Sequence, residues 1–218
     1  MKLIALNGSP RRKNWNTVTL LENITAGAAS VGARVELIQL YDLNYSGCIS
    51  CFSCKRKNRP QNGVCAVHDE LSPVLERIRE TDALVIGSPI YYGTETAATR
   101  ALLERLCFPY NDYSKDLHTL FPHPIQTALV YTMNVDDEML VQMGLERHLQ
   151  SSRQIMARHF GPCELLLATD TLQYSDYDQY ASEYFDKTAK LQRHRDVFPQ
   201  ICQKAFDLGV RLVTSASS

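Results

Sequence analysis

Short apolar runs alternate with amphipathic stretches along most of this chain. Five runs rich in small and branched residues have the length of buried strands, and they cover residues 3–6, 34–40, 83–87, 127–132 and 164–169. Apolar residues spaced three or four apart predict helices over 17–29, over 96–106, over 138–158 and over 182–212, the last one kinked or divided near Pro199. A further helix is predicted to begin with Asp69 or Ser72 as its cap. Strand–helix alternation repeated five times predicts an α/β fold with one parallel sheet and helices on both faces.

The loops that follow the predicted strands are the segments where a functional site is expected. In an open parallel sheet, ligands bind beyond the carboxyl ends of the strands. The segments directly after the five strands are 7–17, 41–69, 88–95, 132–138 and 170–180. Residues 107–123 are predicted to form an irregular insertion and residues 214–218 a frayed tail.

The loop after the first strand has the features of an anion site. It runs from Asn7 to Thr17 and opens directly into a helix, whose first N–H groups are unpaired and carry partial positive charge. Ser9, Asn16 and Thr17 add neutral donors, and Arg11 adds a forked charged one. The loop matches neither the P-loop nor the Gly-x-Gly-x-x-Gly fingerprint. It predicts a bound terminal phosphate; the alternative is a solvated connection with Asn16 as an ordinary helix cap.

The loop after the third strand is apolar and aromatic, which is unusual for a loop. It reads Gly87-Ser88-Pro89-Ile90-Tyr91-Tyr92-Gly93-Thr94. The two glycines permit close approach of the backbone to a flat ligand, and the tyrosines can form a wall for a ring. The alternative is a buried connection with aromatic packing. The first and third strands are expected to be neighbours at the point where the strand order of the sheet reverses, which is where ligands bind. A phosphate site on one side of that point and a ring-binding wall on the other together match flavin mononucleotide (FMN).

Composition narrows the class of partner. The chain has 218 residues, of which 44% are hydrophobic, and a net charge of −1, which argues against disorder and against nucleic acid as a partner. The apolar run at the N-terminus is too short for a signal peptide or a membrane span, and no other stretch approaches a span. We therefore expect a cytoplasmic protein that does not enter a membrane.

Four cysteines lie within eighteen residues: Cys48, Cys51, Cys54 and Cys65. In a reducing compartment such a run favours ligand or redox chemistry over a disulfide framework. Three interpretations stay open: a [4Fe–4S] cluster, a structural zinc ion, or no metal, with the loop a cluster of reduced thiols or a disulfide site. Basic residues beside Cys54 would favour thiolates or a negatively charged cluster, or simply form a solvated loop.

These motifs, in this order, resemble the flavodoxin-like NAD(P)H-dependent FMN reductases and, within them, the iron–sulfur flavoproteins. The resemblance rests on Gly8-Ser9-Pro10-Arg11 with Asn16-Thr17, on the cysteine run with Asp69, on the loop 87–93, and on Phe198-Pro199 and Leu208-Gly209 near the C-terminus. It implies a flavodoxin-like three-layer sandwich with a five-stranded parallel sheet of order 2-1-3-4-5. It also implies one FMN-binding domain over residues 1–213, with a cysteine-rich loop at 41–69.

The resemblance assigns site residues position by position. The residues implied to hold the FMN phosphate are Ser9, Arg11, Asn16 and Thr17. The residues implied to contact the isoalloxazine are Pro89, Ile90, Tyr91, Tyr92 and Gly93. The residues implied to approach the ring from the other side are Thr132, Met133 and Asn134, and residues 170–174 can reach the site too. The residues implied to hold an iron–sulfur cluster are Cys48, Cys51, Cys54 and Cys65.

Two departures from the family pattern bear on these assignments. The phosphate loop has an extra residue between Arg11 and Asn16, unless Arg12 takes the role of Arg11. Trp15 is interpreted as a partly exposed aromatic, with a cover over the flavin or a subunit contact as alternatives. The gap between Cys54 and Cys65 is also longer than is usual in the iron–sulfur branch.

The predicted function is an FMN-dependent oxidoreductase. NAD(P)H would be the transient donor, and a quinone, another small molecule or a protein the acceptor, with the flavin and no side chain carrying the chemistry. One alternative is an iron–sulfur flavoprotein that exchanges single electrons with a ferredoxin-like protein. Another is a non-catalytic redox or metal-responsive binding module. The resemblance also implies a homo-oligomer, a dimer or a tetramer.

Overall fold

Five parallel strands form the central sheet. The computed structural model describes residues 1–57, 63–113 and 119–215. In chain order the strands are β1 (Lys2–Asn7), β2 (Arg34–Gln39), β3 (Ala83–Tyr91), β4 (Thr94–Glu95), β5 (Gln126–Thr132) and β6 (Cys163–Ala168). The parallel strands lie in the order β2-β1-β3-β5-β6, and β4 pairs antiparallel with the end of β3. The predicted order 2-1-3-4-5 and the flavodoxin-like fold class are confirmed.

Helices cover both faces of this sheet. In chain order they are α1 (Asn16–Ser30), α2 (Ser72–Ile78), α3 (Ala97–Cys107), α4 (Asp137–Gln142), α5 (Leu145–Phe160), α6 (Lys187–Asp196) and α7 (Phe198–Thr214). The apolar faces of α1 and α7 pack on one side of the strands, and those of α2, α3 and α5 pack on the other. Each layer buries an apolar stripe of the kind that the sequence pattern predicts.

The contact between α1 and α7 is close because both helices present glycine. A Cβ atom on Gly27 would lie 2.0 Å from the carbonyl oxygen of Phe206, and one on Gly209 would lie 1.9 Å from that of Ile24. Only glycine lets the two backbones approach this far, so these positions fix the spacing of the layer.

Two local features differ from the sequence prediction. The predicted helix 138–158 is two helices, α4 and α5, because Gly144 adopts φ +68° between them. The strand predicted to end at residue 87 continues to Tyr91 and turns into β4 through Tyr92 and Gly93, with φ of +49° and +84°. Two successive residues at positive φ make the tight hairpin turn whose twist matches that of the strands.

Three predicted segments remain, and two of them are described only in part. The helical region 182–212 is divided as predicted, and the break between α6 and α7 falls at Val197. The insertion 107–123 holds a short 3₁₀ turn, Phe108–Tyr110, and a bridge between Asn111 and Thr119, while residues 114–118 lie outside the described part. Helix α7 continues through Thr214, and residues 216–218 of the predicted tail lie outside the description.

Within the described ranges, no helix combines the length and the apolar character needed to cross a membrane.

Candidate functional site

A cavity of about 300 Å³ opens at the carboxyl edge of the sheet, within the size range of small-molecule sites. Three segments line it: the β1–α1 loop, the end of β3, and the ends of β5 and β6. The lining residues are Ser9, Arg11, Trp15, Asn16, Thr17, Pro89, Ile90, Tyr91, Thr132, Met133, Asn134, Thr171, Leu172 and Gln173. Ten of the twelve residues predicted to bind the cofactor are therefore brought together here, and the exceptions are Tyr92 and Gly93.

The first wall presents an open helix N-terminus to the cavity. Trp15 occupies the N-cap position of α1 but makes no side-chain capping bond, and the first turn contains no acidic residue. By contrast, Thr96 caps α3 and Asp186 caps α6 with side-chain oxygens. The first amides of a long helix are thus left for an anion, which is what a terminal phosphate requires.

Arg11 and Arg12 have different positions although they are neighbours in the chain. The Arg11 guanidinium lies 3.7 Å from the centre of the Trp15 ring and donates a 2.8 Å hydrogen bond to the Gln173 carbonyl. Arg12 instead forms an ion pair with Asp42 on the surface. Arg11 is therefore the arginine on the cavity. Trp15 also lines the cavity, so its ring belongs to the site.

The second wall is the end of β3. Pro89, Ile90 and Tyr91 line the cavity, whereas the Tyr92 ring at the hairpin tip is fully exposed, at 109%. Burial raises the pKa of Tyr91, and the nearby Arg11 charge opposes that shift. The predicted contact of Tyr92 with a ring bound in this cavity thus has no support within one chain, because the turn that ends β3 directs this residue to the surface.

The third wall closes the cavity from the side of β5 and β6. Arg11 and Asn16 donate hydrogen bonds to the carbonyls of Gln173 and Leu172, at 2.8 Å each. The Thr17 and Thr132 hydroxyls are 2.7 Å apart and join the first wall to the end of β5. Within the described part of the chain, the buried Oδ1 atom of Asn134 has no hydrogen-bond partner. A ligand hydroxyl or ring N–H would satisfy this acceptor, as FMN can.

A buried carboxylate, Glu95, holds the hairpin against α5. Its side chain is 0% exposed. One oxygen accepts from Tyr131 at 2.7 Å and Ser152 at 2.9 Å. The other faces Thr94 at 2.8 Å and the His148 ring at 3.0 Å. Burial by itself raises the pKa of Glu95, but the hydrogen bonds outweigh it and lower the pKa to about 2.

Sequence reasoning did not single out Glu95. Its four side-chain partners lie on β4, β5 and α5, so no local pattern marks the position.

The cysteine loop is fastened to α3 by Arg105, whose side chain is 0% exposed. Its guanidinium donates to Cys65 Sγ at 3.1 Å, to the Ser46 and Val67 carbonyls at 3.0 and 3.1 Å, and to Asp69 at 2.6 and 3.2 Å. All five N–H donors are used, which is why an arginine can be buried here. The signal in the sequence was an arginine beside the apolar stripe of α3.

Two of the other three cysteines in the run affect the pKa of the Cys54 thiol. Burial raises the pKa of the Cys54 thiol, Lys55 opposes this, and Cys65 and Cys48 raise it further. Cys51 is exposed, and donors from Ser53 lower the pKa of its thiol. No group of three or more His, Cys, Asp or Glu side chains among the described residues is arranged to hold a metal ion. The predicted cluster therefore stays a prediction.

Comparison with known proteins extends the resemblance. The chain is 38% identical over 105 residues to an iron–sulfur flavoprotein of Archaeoglobus fulgidus, covering 48% of each protein. It is 33% identical over 105 residues to an iron–sulfur flavoprotein of Methanocaldococcus jannaschii, covering 48% of this chain and 51% of that one. The chain thus spans about half the length of the curated relatives it matches. These relatives confirm the predicted resemblance to the iron–sulfur flavoprotein branch.

Solved structures share the fold. The NAD(P)H:quinone oxidoreductase of Methanothermobacter marburgensis aligns with a TM-score of 0.72 at 17% identity, over 97% of this chain and 98% of that one. An FMN-dependent NADH-azoreductase of Bacillus anthracis, solved with FMN, aligns with a TM-score of 0.64 at 12% identity, over 96% of this chain and 100% of that one.

Residues 1–126 match the family described as NADPH-dependent FMN reductase, which includes the β1–α1 loop, the cysteine run and the end of β3. Because that match extends over more than half of the 218 residues, the chain belongs to the NADPH-dependent FMN reductase family.

Proposed function

We propose that the protein is an FMN-dependent oxidoreductase that takes electrons from NAD(P)H and passes them to a quinone, another small molecule or a protein. One observation carries the proposal: the uncapped N-terminus of α1 and the apolar end of β3 line the same cavity at the carboxyl edge of the sheet. The first suits a phosphate and the second a flat ring. Family membership supports FMN as the molecule that combines both.

The side chains then have distinct roles. Ser9, Arg11 and the first amides of α1 would bind the phosphate, and Pro89 to Tyr91 would orient the ring. Asn134 Oδ1 would accept a hydrogen bond from the cofactor. When bound, FMN supplies hydride acceptance and the release of electrons in one- or two-electron steps. The protein's share is binding, orientation and exclusion of water.

The binding test uses Trp15, which is the only tryptophan in the chain and lines the cavity. Titration with FMN should quench its fluorescence and give a dissociation constant. Arg11→Gln should weaken binding about 10- to 100-fold, the range expected for a lost charge-assisted bond. Arg12→Gln is the matched control, because Arg12 pairs with Asp42 away from the cavity. Wild-type protein that shows no quenching and takes up no flavin would refute the proposal.

The activity test follows the bound flavin. FMN-loaded protein is mixed with NADH or NADPH without oxygen, and bleaching of the flavin band is recorded before a quinone is added. We expect bleaching by at least one nicotinamide and recovery on addition of the quinone. If FMN binds but neither NADH nor NADPH reduces it, FMN binding is supported and the proposed NAD(P)H-dependent oxidoreductase activity is refuted.

A second candidate is an iron–sulfur flavoprotein that exchanges electrons with a ferredoxin-like protein. It is favoured by the effect of Cys48 and Cys65 on the pKa of Cys54, by the hydrogen bond from Arg105 to Cys65, and by the names of the relatives. Protein purified without oxygen should then contain iron and sulfide, with a broad absorbance that dithionite bleaches. Cys54→Ser should abolish the bound iron and sulfide and the broad absorbance, whereas Cys202→Ser should leave them unchanged. Iron-free protein after anaerobic reconstitution would eliminate this candidate.

We propose a contact face for the predicted homo-oligomer. A groove of about 310 Å³ between α3 and α5 is lined by five apolar side chains, among them Leu103, Ile155 and Met156, and by six polar or charged ones. We propose that a second copy covers it. Light scattering should give a dimer or tetramer, and Ile155→Glu should dissociate it. Leu191→Glu on α6, also exposed, is the control. A monomeric wild type at high concentration would exclude this contact.

A further inference from the structure

Helix α6 is held to the protein by a buried lysine. All ten residues of α6 are described, and Lys190 alone among them is buried, at 5% exposure. The helix has no apolar stripe that would explain its packing. A lysine is rarely buried unless it is paired, so its partners identify what fixes the helix.

The ammonium of Lys190 has three partners. It donates a 2.5 Å hydrogen bond to the carbonyl of Asn134, forms an ion pair with Asp170, and lies 4.8 Å from the centre of the Phe185 ring. A carbonyl, a carboxylate and an aromatic face together satisfy an ammonium group. Lys190 is thus compensated within the protein and leaves no charge unpaired.

Asp170 continues the same arrangement. Its second oxygen lies 3.2 Å from Arg193 Nε, one turn further along α6. Its own N–H donates to the Val135 carbonyl at 2.7 Å, and its backbone takes φ +53°. A non-glycine residue in this conformation requires support from its surroundings. The two cations of α6 and the Val135 carbonyl provide that support.

Two of the three partners of Lys190, Asn134 and Asp170, adjoin the cavity. Asn134 lines it and carries the buried Oδ1 atom that lacks a partner among the described residues. Asp170 precedes Thr171, Leu172 and Gln173, which form the rest of the same wall. The ammonium therefore ties the end of β5 to the segment that follows β6 at a single point.

We propose that Lys190 is a positioning residue for the cofactor: together with Asp170 it fixes the third wall of the cavity so that Asn134 and residues 171–173 face bound FMN. This inference rests on the proposed function. It adds that FMN binding requires Lys190 of α6, a helix that lies outside the residues matched by the family. Lys190 touches neither cofactor nor substrate and acts through Asn134 and Asp170.

The test compares FMN affinity in a double-mutant cycle, measured by quenching of Trp15. Lys190→Met keeps most of the side-chain volume but removes the charge, and Asp170→Asn keeps the shape and tolerates positive φ. We expect each single variant to raise the FMN dissociation constant at least tenfold. The increase in the double variant should be much smaller than the product of the two single increases. At saturating FMN, kcat for electron transfer from NAD(P)H to a quinone should still fall at least threefold in Lys190→Met. A purely structural role would lower thermal stability but leave kcat of the saturated protein unchanged.

The same helix provides the control. Lys187 pairs with Asp178 at the surface, where the Lys187 side chain is 43% and the Asp178 side chain 75% exposed. Lys187→Met and Asp178→Asn should keep FMN affinity within twofold of wild type. If Lys190→Met does not fold, Asp170→Asn alone decides. If wild type binds FMN and the folded Lys190→Met and Asp170→Asn variants bind it equally well, the inference is overturned. If wild type binds no FMN, the proposed function is refuted instead.

Discussion

The buried Glu95 carboxylate makes the acid stability of this protein predictable. Its hydrogen bonds from Tyr131, His148 and Thr94 lower its pKa from the ordinary 4.5 to about 2 against the opposing effect of burial. A folded-state pKa below the unfolded value means that the stabilisation is present above pH 4.5 and is lost as the pH falls toward 2. This shift corresponds to about 3 kcal/mol at neutral pH, of which about 2 kcal/mol is lost by pH 3.

Glu95→Gln tests that reasoning. The amide keeps an oxygen for Tyr131 and Ser152 but cannot take the charge-assisted bonds, so the variant should be about 2–3 kcal/mol less stable at pH 7. The free energy of unfolding by urea is measured on the apoprotein at pH 7, 5, 4 and 3. Between pH 7 and pH 3 it should fall about 2 kcal/mol less in the variant than in wild type. Other carboxylates titrate in both proteins and cancel in this difference. Parallel pH profiles for the two proteins would refute the reasoning.

Three further substitutions have definite expected outcomes. Gly209→Ala places a Cβ atom 1.9 Å from the Ile24 carbonyl and should cost about 2–3 kcal/mol, seen as a lower urea midpoint; an unchanged midpoint would contradict the close α1–α7 contact. Tyr92→Asn relieves an aromatic residue at φ +49° with a fully exposed ring and should stabilise by about 0.5–1 kcal/mol, seen as a higher Tm. Arg105→Met leaves the Asp69 carboxylate without its cation and should cost about 3–5 kcal/mol, whereas a loss below about 1 kcal/mol would show that the loop does not depend on Arg105.

Local pattern was enough to predict most of the fold and two walls of the cavity. The strand β1, the helix that begins at Asn16 and the loop through Pro89 each carry their signal within a few consecutive residues. Gly144 was available as a signal too, since a glycine within an amphipathic stretch can mark a break. The strand β4 was not, because two residues are too few to show an alternation.

The side chains that support the cavity could not be predicted in this way. Glu95 meets Ser152 across 57 positions, and Lys190 meets Asn134 across 56. From the sequence, a lysine in a polar helix is predicted to be solvated. Only the tertiary structure shows that a carbonyl and a carboxylate lie beside Lys190. Such positions are determined by tertiary contacts, and a single sequence holds no local record of those contacts.

The cavity combines two kinds of wall, and this division bears on function. Arg11, Asn16 and Tyr91 lie within the segment that matches the family, so the residues proposed to hold the phosphate and one face of the ring belong to the shared scaffold. Asn134 and residues 171–173 lie beyond it and depend on α6. We propose that both sets contact FMN, the first at its phosphate and one face of its ring and the second at the other face, so substitutions in the two sets should have different effects. Arg11→Gln should act mainly on FMN affinity, whereas Leu172→Ala should weaken FMN binding less than Lys190→Met does and should also raise KM for the electron acceptor. Equal effects of both variants on both constants would show that the walls act as one unit.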